Sequence, residues 1–285
     1  MNKIIDRKTK KETPLNVMKS QKFLYHTFLG RLILKKLVKP SFTIKREKKL
    51  SSKKSLKKVP KFIKKNNIDT SIYNLDNINS FNDFFSRKIK DGVRIIDNDN
   101  NHLISPCDSK MQAYPISKDK IFEIKNSYYR ISDLLKNEEL ASYFDGGYAL
   151  IFRLCVDDYH RYCYIDDGHK YDNVHIDGYF HTVNPIALDK YKVYLENTRE
   201  YTLIDTKNFG KVVQMEVGAM MVGKIVNHHK EYDCHKGEEK GLFLYGGSTV
   251  IVLIKDVIID EDIINNTKNG DETIVKYGEK IGIKA

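Results

Sequence analysis

The sequence predicts an α+β fold, in which a mostly antiparallel β domain follows an α-helical, basic and amphipathic N-terminal region. Short β-branched segments recur between turn signals from about Leu103 onward, whereas helical periodicity prevails near the start of the chain. The charge divides in the same way. Residues 1–65 hold 22 Lys and Arg against 3 Asp and Glu, a net of +19, and the other 220 residues hold 27 against 35, a net of −8. We therefore expect two regions, 1–80 and 81–285.

The strongest helical pattern lies in residues 22–38. Leu24, Phe28 and Leu32 recur at helical spacing between basic residues, and a proline ends the pattern. An amphipathic helix with aromatic side chains and a basic edge suits the interface of an anionic bilayer, so we expect residues 1–80 to associate with a membrane surface. The apolar side chains of this helix can also pack on the body of the protein, and the two roles are compatible. Nucleic acid explains the basic charge less well, because no recognised binding module is present and the rest of the chain is acidic.

The remaining helices and strands are predicted in chain order. Lys45–Lys65 is typical of short helices joined by a linker, Phe81–Asp97 of a short helix that closes near Asp91-Gly92 before a strand, and Ile131–Phe144 of a further helix. Strands are expected where β-branched runs lie between turn signals, at Tyr148–Val156, Lys170–His181, Val193–Asn197, Lys211–Val217, Met220–Val226, Leu242–Tyr245 and Thr249–Ile259.

Composition excludes several classes of protein. The four cysteines, Cys107, Cys155, Cys163 and Cys234, lack CxxC spacing, so we expect reduced thiols in a cytosol-facing protein and no metal site. The charged start of the chain has no apolar segment typical of a secretory signal. No run approaches the roughly 18 apolar residues that a membrane-spanning helix requires. We expect a protein that is neither exported through a signal peptide nor inserted across the bilayer.

Two glycines and two hydroxyl residues stand immediately before the most β-branched run of the chain. The segment Tyr245–Thr249 has the sequence YGGST and leads into Val250–Ile254. Because glycine adopts backbone angles closed to other residues, such a turn can hold the Ser248 hydroxyl against the carbonyl carbon of Gly247. An ordinary tight turn that enters a buried strand explains the same residues. The rest of the chain must decide between the two explanations.

Acidic, imidazole and guanidinium groups are concentrated in Asp157–Tyr162, at the end of a predicted strand. Such clusters are typical of functional sites, although a single histidine is usually a surface residue. Asp108 adds a carboxylate in a turn after another strand, where an Asx turn is the simple explanation. With Ser248, His160 and Asp108 would complete an acid–base–hydroxyl set of the serine-protease type. The order of these residues in the chain leaves their proximity open.

Seven segments, taken in order, resemble the phosphatidylserine decarboxylase family, whose members are pyruvoyl-dependent membrane enzymes. The resemblance extends from about Phe84 to the C-terminus and is weaker in the basic N-terminal region. The distinctive part is the Gly-Ser-Thr of residues 247–249, which closes the last segment. The segments are FFSRKIKDGVR (84–94), SPCDS (105–109), FRLCVDDYHRY (152–162), HTVNPIAL (181–188), ENTRE (196–200), MEVGAMMVGKI (215–225) and KGEEKGLFLYGGST (236–249).

The resemblance implies a self-processing proenzyme. Members of the family cut themselves before the serine of Gly-Ser-Thr, here between Gly247 and Ser248. The Ser248 hydroxyl would attack the Gly247 carbonyl to give an ester, and β-elimination and hydrolysis would leave a pyruvoyl group and ammonia. The products would be a β chain of 247 residues and an α chain of 38 residues that begins with the pyruvoyl. This group would form a Schiff base with phosphatidylserine, release CO2 and yield phosphatidylethanolamine.

The same resemblance assigns the charge-relay roles. Asp108 would orient His160, and His160 would take the proton of the Ser248 hydroxyl. His160 would also handle the proton in the decarboxylation itself, where an unperturbed histidine pKa near 6.5 is suited to neutral pH. Self-cleavage and decarboxylation would then share one imidazole.

Other roles are implied less directly. Many members of the family have a second histidine where this chain has Cys163, so His181 and His235 are alternative bases for the self-cleavage. The phosphodiester and carboxylate of the substrate require cationic partners, and Arg161 and Arg153 are expected to provide them. Both arginines lie beside the cluster of titratable groups described above.

The sequence therefore predicts a peripheral enzyme on the cytoplasmic face of the cell membrane, which decarboxylates phosphatidylserine with a pyruvoyl group made from Ser248 and without a metal. Its expected partners are the phospholipid, an anionic bilayer and its own α and β chains, as a heterodimer or a higher oligomer, but no nucleic acid. The alternatives are a pyruvoyl decarboxylase of another amine and an unprocessed lipid-binding β scaffold. A serine hydrolase is disfavoured because no GxSxG motif is present.

Overall fold

The computed structural model describes residues 2–15, 17–124, 127–220 and 224–285, and it has the predicted α+β architecture with mostly antiparallel sheets. Helices prevail in the N-terminal region and strands in the rest of the described chain. The helices are α1 (Lys19–His26), α2 (Phe28–Leu37), α3 (Pro40–Leu50), α4 (Val59–Asn66), α5 (Phe81–Phe85), α6 (Ile131–Leu135), α7 (Glu138–Tyr143), α8 (Pro185–Leu188), α9 (Val193–Glu196) and α10 (Glu261–Lys268), with a 3₁₀ helix at Lys53–Lys58.

The helical pattern predicted at residues 22–38 forms two helices rather than one. Thr27 has an extended backbone, and its side-chain oxygen accepts a hydrogen bond of 3.0 Å from the backbone N–H of Gly30, so it separates α1 from α2 and caps α2. Pro40 then occupies the first turn of α3, where a missing N–H costs no hydrogen bond. The short helices predicted within Lys45–Lys65 are confirmed as the end of α3, the 3₁₀ helix and α4.

Eleven of the described strands form one large sheet, and the others form small sheets beside it. The large sheet runs in the order β16 (Tyr232–Cys234), β11 (Gly168–Lys170), β13 (Arg199–Thr206), β14 (Gly210–Val217), β18 (Ser248–Ile254), β9 (Tyr148–Leu154), β6 (Ser109–Pro115), β20 (Glu272–Val275), β1 (Lys3–Asp6) and β2 (Glu12–Pro14), with β12 (Val174–Ile176) also beside β13. The small sheets are β10 (Arg161–Cys163), β17 (Glu239–Phe243) and β15 (Ile225–Asn227); β19 (Val257–Ile259), β21 (Lys280–Lys284) and β5 (His102–Ile104); β3 (Tyr73–Asn74) with β4 (Lys88–Ile89); and β7 (Ile121–Ile124) with β8 (Ser127–Arg130).

Strand β18 is the centre of the hydrophobic core. It pairs with β14 on one side and β9 on the other, and all of its residues are buried. Opposed residues of a pleated sheet share a face, so Ser248, Val250 and Glu216 lie on one face of the large sheet. The β10–β17–β15 sheet packs against that face, because Gln214 donates a 3.0 Å hydrogen bond to the carbonyl of Cys163 and Lys240 donates one of 2.8 Å to Glu216.

Several predicted elements differ in their limits. The predicted helix Ile131–Phe144 is divided into α6 and α7 because Lys136 has a positive φ of 55°, and Asp256, with φ 54°, likewise separates β18 from β19. The helix at the start of Phe81–Asp97 ends already at Phe85, well before Asp91-Gly92. Lys170–His181 contains only the end of β11 and the short β12.

One predicted strand is wrong, and one lies partly outside the described residues. Val193–Asn197 contains the helix α9, because the Glu196 side chain reaches back to accept a 2.9 Å hydrogen bond from the backbone N–H of Lys192 and so caps the first turn. Of the predicted strand Met220–Val226, residues 221–223 lie outside the described chain, and β15 begins at Ile225.

The beginning of the chain joins the large sheet, which the sequence did not predict. Strand β1 pairs in parallel with β20, near the C-terminus. Arg7, which follows β1, donates hydrogen bonds of 2.7 Å to Asp260 and 2.9 Å to Asp262 at the start of α10. The division of the chain into 1–80 and 81–285 stays a prediction, and the first strand of the former region is hydrogen-bonded to the latter.

Candidate active site

Ser248 is the first residue of β18, where the central strand of the large sheet begins. It pairs with Leu154 of β9, and the next residue, Thr249, pairs with Arg153 and with Val217. The Ser248 side chain is fully buried, and its Oγ is without a hydrogen-bond partner among the described residues. A buried hydroxyl without a partner is costly, so this one requires an explanation other than stability.

The turn before Ser248 depends on Gly246. Its φ is 146°, a backbone angle that residues with a side chain rarely adopt. A Cβ on Gly247 would lie 3.7 Å from Val183 and 3.8 Å from the carbonyl oxygen of Leu154, which are ordinary contact distances. The turn therefore requires glycine at position 246, and the bond between Gly247 and Ser248 leads directly into the sheet.

His160 is fully buried and has one free nitrogen. Its Nδ1 lies 2.9 Å from the carbonyl oxygen of Asp158, and because a carbonyl only accepts, Nδ1 carries the proton. Nε2 is without a hydrogen-bond partner among the described residues. In the neutral imidazole Nε2 then holds the lone pair, which makes it a base. Burial lowers the pKa of His160 to about 4, although the Asp158 carboxylate acts in the opposite direction.

The fold brings His160 and Ser248 into one aromatic region of the interior. The loop that follows Leu154, the strand partner of Ser248, leads to His160. The ring of Phe85 lies 4.1 Å from the imidazole and 5.0 Å from the ring of Tyr245, three residues before Ser248. The backbone N–H of Phe243, in β17, donates a 2.9 Å hydrogen bond to the His160 carbonyl. Two unpartnered groups, a hydroxyl and a basic nitrogen, are thus enclosed together.

Asp108 is buried but does not hydrogen-bond His160 in the described structure. Arg94 donates to both of its carboxylate oxygens, one at 3.0 Å, and the backbone N–H of Tyr277 donates at 2.9 Å. Lys276 lies at 3.4 Å. Burial raises the pKa of Asp108, but the hydrogen bond from Arg94 and the charges of Lys276 and Arg94 outweigh it and hold that pKa below its usual value. The direct Asp108–His160 contact of the triad pattern is not formed, and the Asp158 carbonyl takes that place.

The two arginines expected at the substrate differ in their surroundings. Arg153 is buried and is held by both oxygens of Glu272, so its charge is already neutralised inside the protein. Arg161 is only partly buried. It donates through Nε to the Ser86 carbonyl at 2.8 Å and through one terminal nitrogen to Glu239 at 2.6 Å, which leaves its other terminal nitrogen without a partner among the described residues.

The two alternative bases are also separated by the fold. His181 is buried near the Gly-Gly turn, two residues before Val183, with its ring stacked on Tyr191 at 4.2 Å, and burial lowers its pKa to about 4. His235 is exposed and follows β16, an edge strand that lies four strands from β18. Four strand spacings span roughly 19 Å. This position does not favour His235 as the base, and its role stays a prediction.

Sequence reasoning missed three residues that shape the site. Asp158 supplies the carbonyl that orients His160, and its carboxylate is gripped by Lys110 at 2.6 and 2.7 Å. Phe85 lies against the imidazole. Asp158 stands in the same DDYHRY cluster as His160, so the signal was present, but the lysine is 48 residues away in another strand and nothing in the sequence connects the two.

A second candidate surface lies on the N-terminal helices. Phe28 and Leu29 at the start of α2 have exposed fractions of 73% and 59%, and further exposed apolar residues surround them. Tyr25, by contrast, is fully buried, and its hydroxyl accepts a 2.8 Å hydrogen bond from the backbone N–H of Thr182. The apolar residues of α1 and α2 thus divide between the body of the protein and solvent. The exposed ones are Met18, Phe23, Phe28, Leu29, Leu32 and Ile33.

Among the described residues, we find no helix with the length and apolar character needed to cross a bilayer. Three acidic or thiol groups, those of Cys155, Asp157 and Asp158, lie within 4.8 Å of one another. Lys110 bonds both oxygens of Asp158, and Arg153 lies 3.0 Å from the Cys155 sulfur. Cations of the protein thus already contact two of the three groups.

Comparisons with known proteins point to the same family over most of the chain. The sequence model of the family described as phosphatidylserine decarboxylase matches residues 81–283. The chain is 50% identical over 265 residues to phosphatidylserine decarboxylase proenzyme 2 of Clostridium acetobutylicum, with 92% of this chain and 90% of the relative covered. It is 44% identical to the phosphatidylserine decarboxylase proenzyme of Clostridium novyi, with 92% of each covered. It is 40% identical to that of Clostridium botulinum, with 100% of each covered.

Proposed function

The chain belongs to the phosphatidylserine decarboxylase family, and from this premise we propose the residues with which it works. It is a pyruvoyl-dependent carboxy-lyase made as a proenzyme, which converts phosphatidylserine into phosphatidylethanolamine and CO2. One observation supports the assignment of residues above all others. Ser248 Oγ and His160 Nε2 are both buried and both unpartnered among the described residues, in one region of the interior.

Ser248 is the nucleophile of the self-cleavage. Its Oγ attacks the carbonyl carbon of Gly247 while His160 Nε2 takes the hydroxyl proton. The bond between the Gly247 carbon and the Ser248 nitrogen breaks, the nitrogen gains a proton, and an ester joins Gly247 to Ser248 Oγ. A base then removes the α-proton of Ser248, and the Gly247 carboxylate leaves from Cβ. The remaining dehydroalanine reacts with water, releases ammonia and becomes the pyruvoyl end of the α chain.

The surroundings of residue 248 fit a small ketone. The side-chain position is closed to solvent and bordered by Leu154 and Val250, and the only polar atom of the side chain has no hydrogen-bond partner among the described residues. The pyruvoyl group supplies a carbonyl that binds the substrate amine and takes up the electron pair left by CO2. His160 retains its proton at Nδ1 on the Asp158 carbonyl, so its Nε2 remains able to accept and return a proton. No metal is required in this scheme.

Arg161 is the better of the two arginines for binding the substrate. Its free terminal nitrogen can meet an anionic group, whereas Arg153 is already bound on the inside of the sheet by Glu272. Arg161, Arg87 and Lys88 also line a polar cleft of about 290 Å³ next to α5. Phe85 of α5 lies on the imidazole of His160, so the cleft and the reactive interior share a wall. We assign the phosphodiester of the headgroup to this cleft.

The N-terminal helices hold the enzyme at its substrate. Phe28 and Leu29 are exposed apolar side chains on a region with a net charge of +19 in its first 65 residues, a combination that suits an anionic phospholipid surface. We place the protein peripherally on the cytoplasmic face of the cell membrane, with residues 1–80 as its attachment. The α and β chains form a heterodimer.

An intact-mass measurement of the purified protein tests the proposal. We expect two chains that divide at Gly247–Ser248, the smaller with a blocked N-terminus that borohydride and phosphatidylserine convert into a stable adduct. The Ser248→Ala protein should remain a single 33.2 kDa chain without decarboxylase activity. Active protein that stays in one piece would contradict the assignment of Ser248, and an unprocessed lipid-binding scaffold would show neither cleavage nor activity.

A further inference from the structure

We propose that Asp158 and Lys110 are positioning residues for His160: their ion pair closes the loop between β9 and β10 and fixes the carbonyl that holds the imidazole. The proposal rests on the proposed function, in which His160 is the base. In a serine-protease triad an acidic side chain orients the histidine. In this chain the ion pair would do so indirectly, through the carbonyl of Asp158.

Asp158 joins the loop to itself at three points. Its backbone N–H donates a 3.0 Å hydrogen bond to the carbonyl of Cys155, and its carboxylate accepts one of 2.7 Å from the backbone N–H of Cys155. Its own carbonyl accepts the hydrogen bond from His160 Nδ1 at 2.9 Å. The side chain therefore determines where the carbonyl lies, and the carbonyl determines the tautomer of His160.

Lys110 anchors this loop to the large sheet. It lies in β6, opposite Arg153 of β9, and its ammonium group reaches both oxygens of Asp158 at 2.6 and 2.7 Å. Both side chains are nearly buried, with exposed fractions of 9% and 7%. An ion pair in such surroundings constrains geometry strongly, because either charge without its partner would be costly. Since Ser248 pairs with Leu154 of β9, the anchor sets His160 relative to the nucleophile.

The two partners act on the imidazole with opposite sign. The charged groups that influence His160 are Asp158, which favours its protonated form, and Lys110 and Arg87, which disfavour it. Phe85, on the other side of the ring, carries no charge. Loss of the carboxylate should therefore lower the pKa of His160, and loss of the ammonium should raise it. An ion pair that stabilised the fold at a distance from the imidazole would produce neither shift, and the loss of rate in both variants then reports the positioning of the ring.

The experiment measures self-cleavage against pH. Proenzyme variants are prepared unfolded from inclusion bodies, refolded by dilution into buffers from pH 3 to pH 8, and followed by denaturing gel. Asp158→Asn and Lys110→Met should both cleave at least ten times more slowly than the original chain. In a plot of cleavage rate against pH, the rate falls on the acid side as His160 becomes protonated. This acid limb should move to lower pH in Asp158→Asn and to higher pH in Lys110→Met. Lys110→Arg, which retains the charge, should recover most of the rate.

Arg7→Met is the matched control. It removes an ion pair with Asp260 and Asp262, four strands from β18, so it should lower stability without moving the acid limb. Equal rates, or slower rates with an unmoved acid limb in both test variants, would overturn the positioning role. If His160→Gln cleaves normally, or if the original chain never cleaves, the proposed function fails instead, and the two failures are therefore distinguishable.

Discussion

The interior around Ser248 and the surface of the N-terminal helices solve opposite problems. In the interior, two polar atoms, the Ser248 Oγ and the His160 Nε2, are enclosed without a hydrogen-bond partner among the described residues. On the helices, apolar side chains such as Phe28 and Leu29 face solvent among lysines. Neither arrangement stabilises the fold. A buried polar atom without a hydrogen bond costs free energy, and so does an apolar side chain exposed to water. The difference supports our proposal that chemistry and membrane attachment lie in separate regions, and each region can be altered by itself to test it.

The largest effect is expected from the interior, in the His160→Gln variant. Removing a general base costs typically 10²–10⁴-fold in rate, so self-cleavage should fall within that range while the protein stays folded. Binding to phospholipid vesicles should not change. A time course on denaturing gels measures the first effect and co-sedimentation with vesicles the second.

His235→Gln and His181→Gln complete the comparison. His235 follows the edge strand β16, four strands from β18, so its variant should cleave at the original rate. Normal cleavage in His160→Gln together with a loss in His181→Gln would transfer the role of base to His181.

Asp108→Asn should act next most strongly, and chiefly on stability. Breaking a buried ion pair by removing one charge costs about 3 kcal/mol or more, and Asp108 is held by Arg94 in such a pair. Urea unfolding of the uncut Ser248→Ala protein, with and without Asp108→Asn, measures this loss. The exposed Asp119→Asn variant is the control and should lose little.

The same variant tests the role that the sequence predicted for Asp108. Folded Asp108→Asn protein should still cut itself, since Asp158 rather than Asp108 contacts His160. If the folded variant instead loses cleavage by a factor near 10⁴, Asp108 belongs to the charge relay after all, in a geometry reached only during the reaction.

The surface of the helices is tested by Phe28→Ser with Leu29→Ser. Full burial of a large apolar side chain contributes about 1.5–3 kcal/mol, so vesicle affinity should fall roughly tenfold or more for each residue that inserts. Self-cleavage should be unchanged, and added salt should weaken the remaining binding. Ile95→Ser, an exposed apolar residue of the body, is the control. Unchanged affinity in the helix variant would remove these residues from the membrane contact.

A further effect, on the pH dependence rather than on a single variant, is a loss of stability in mild acid. The pKa of both His160 and His181 is lowered by burial to about 4, whereas an unfolded chain restores values near 6.5. The unfolded state therefore binds more protons between these values. The free energy of unfolding should be highest above about pH 6.5 and should decline as the pH falls toward 4. Urea midpoints of the Ser248→Ala protein between pH 7 and pH 4.5 measure the decline, and His160→Gln should reduce its slope.

Local patterns predicted much of this molecule. The YGGST turn, the β-branched run of β18 and the helices of the basic region follow from residues close together in the chain, and all three are present. The strand predicted at Val193–Asn197 failed because one side chain, that of Glu196, caps a helix that propensity alone does not favour. Short elements depend on such single contacts.

The site was less predictable because it depends on distant pairs. The sequence predicted roles for His160 and Ser248, but the hydrogen-bond partner of the imidazole is a main-chain carbonyl, which no residue type reveals. The partner of Asp108 is Arg94, and the partner of Asp158 is Lys110, and both pairs join loops to distant parts of the chain that only the tertiary fold brings together. Strand β1 was missed for the same reason, since it forms only by pairing with β20 near the far end of the chain.

The position of Ser248 at the head of the middle strand has a further consequence. Cleavage before Ser248 would create a new chain end without releasing the 38-residue fragment. That fragment still contributes β18 through β21 to two sheets. The new terminus would thus begin a fully buried strand that pairs with β9 and β14. Because the terminus lies in the interior, we expect entry of the substrate to require displacement of its covering, to which the rings of Phe85 and Tyr245 belong.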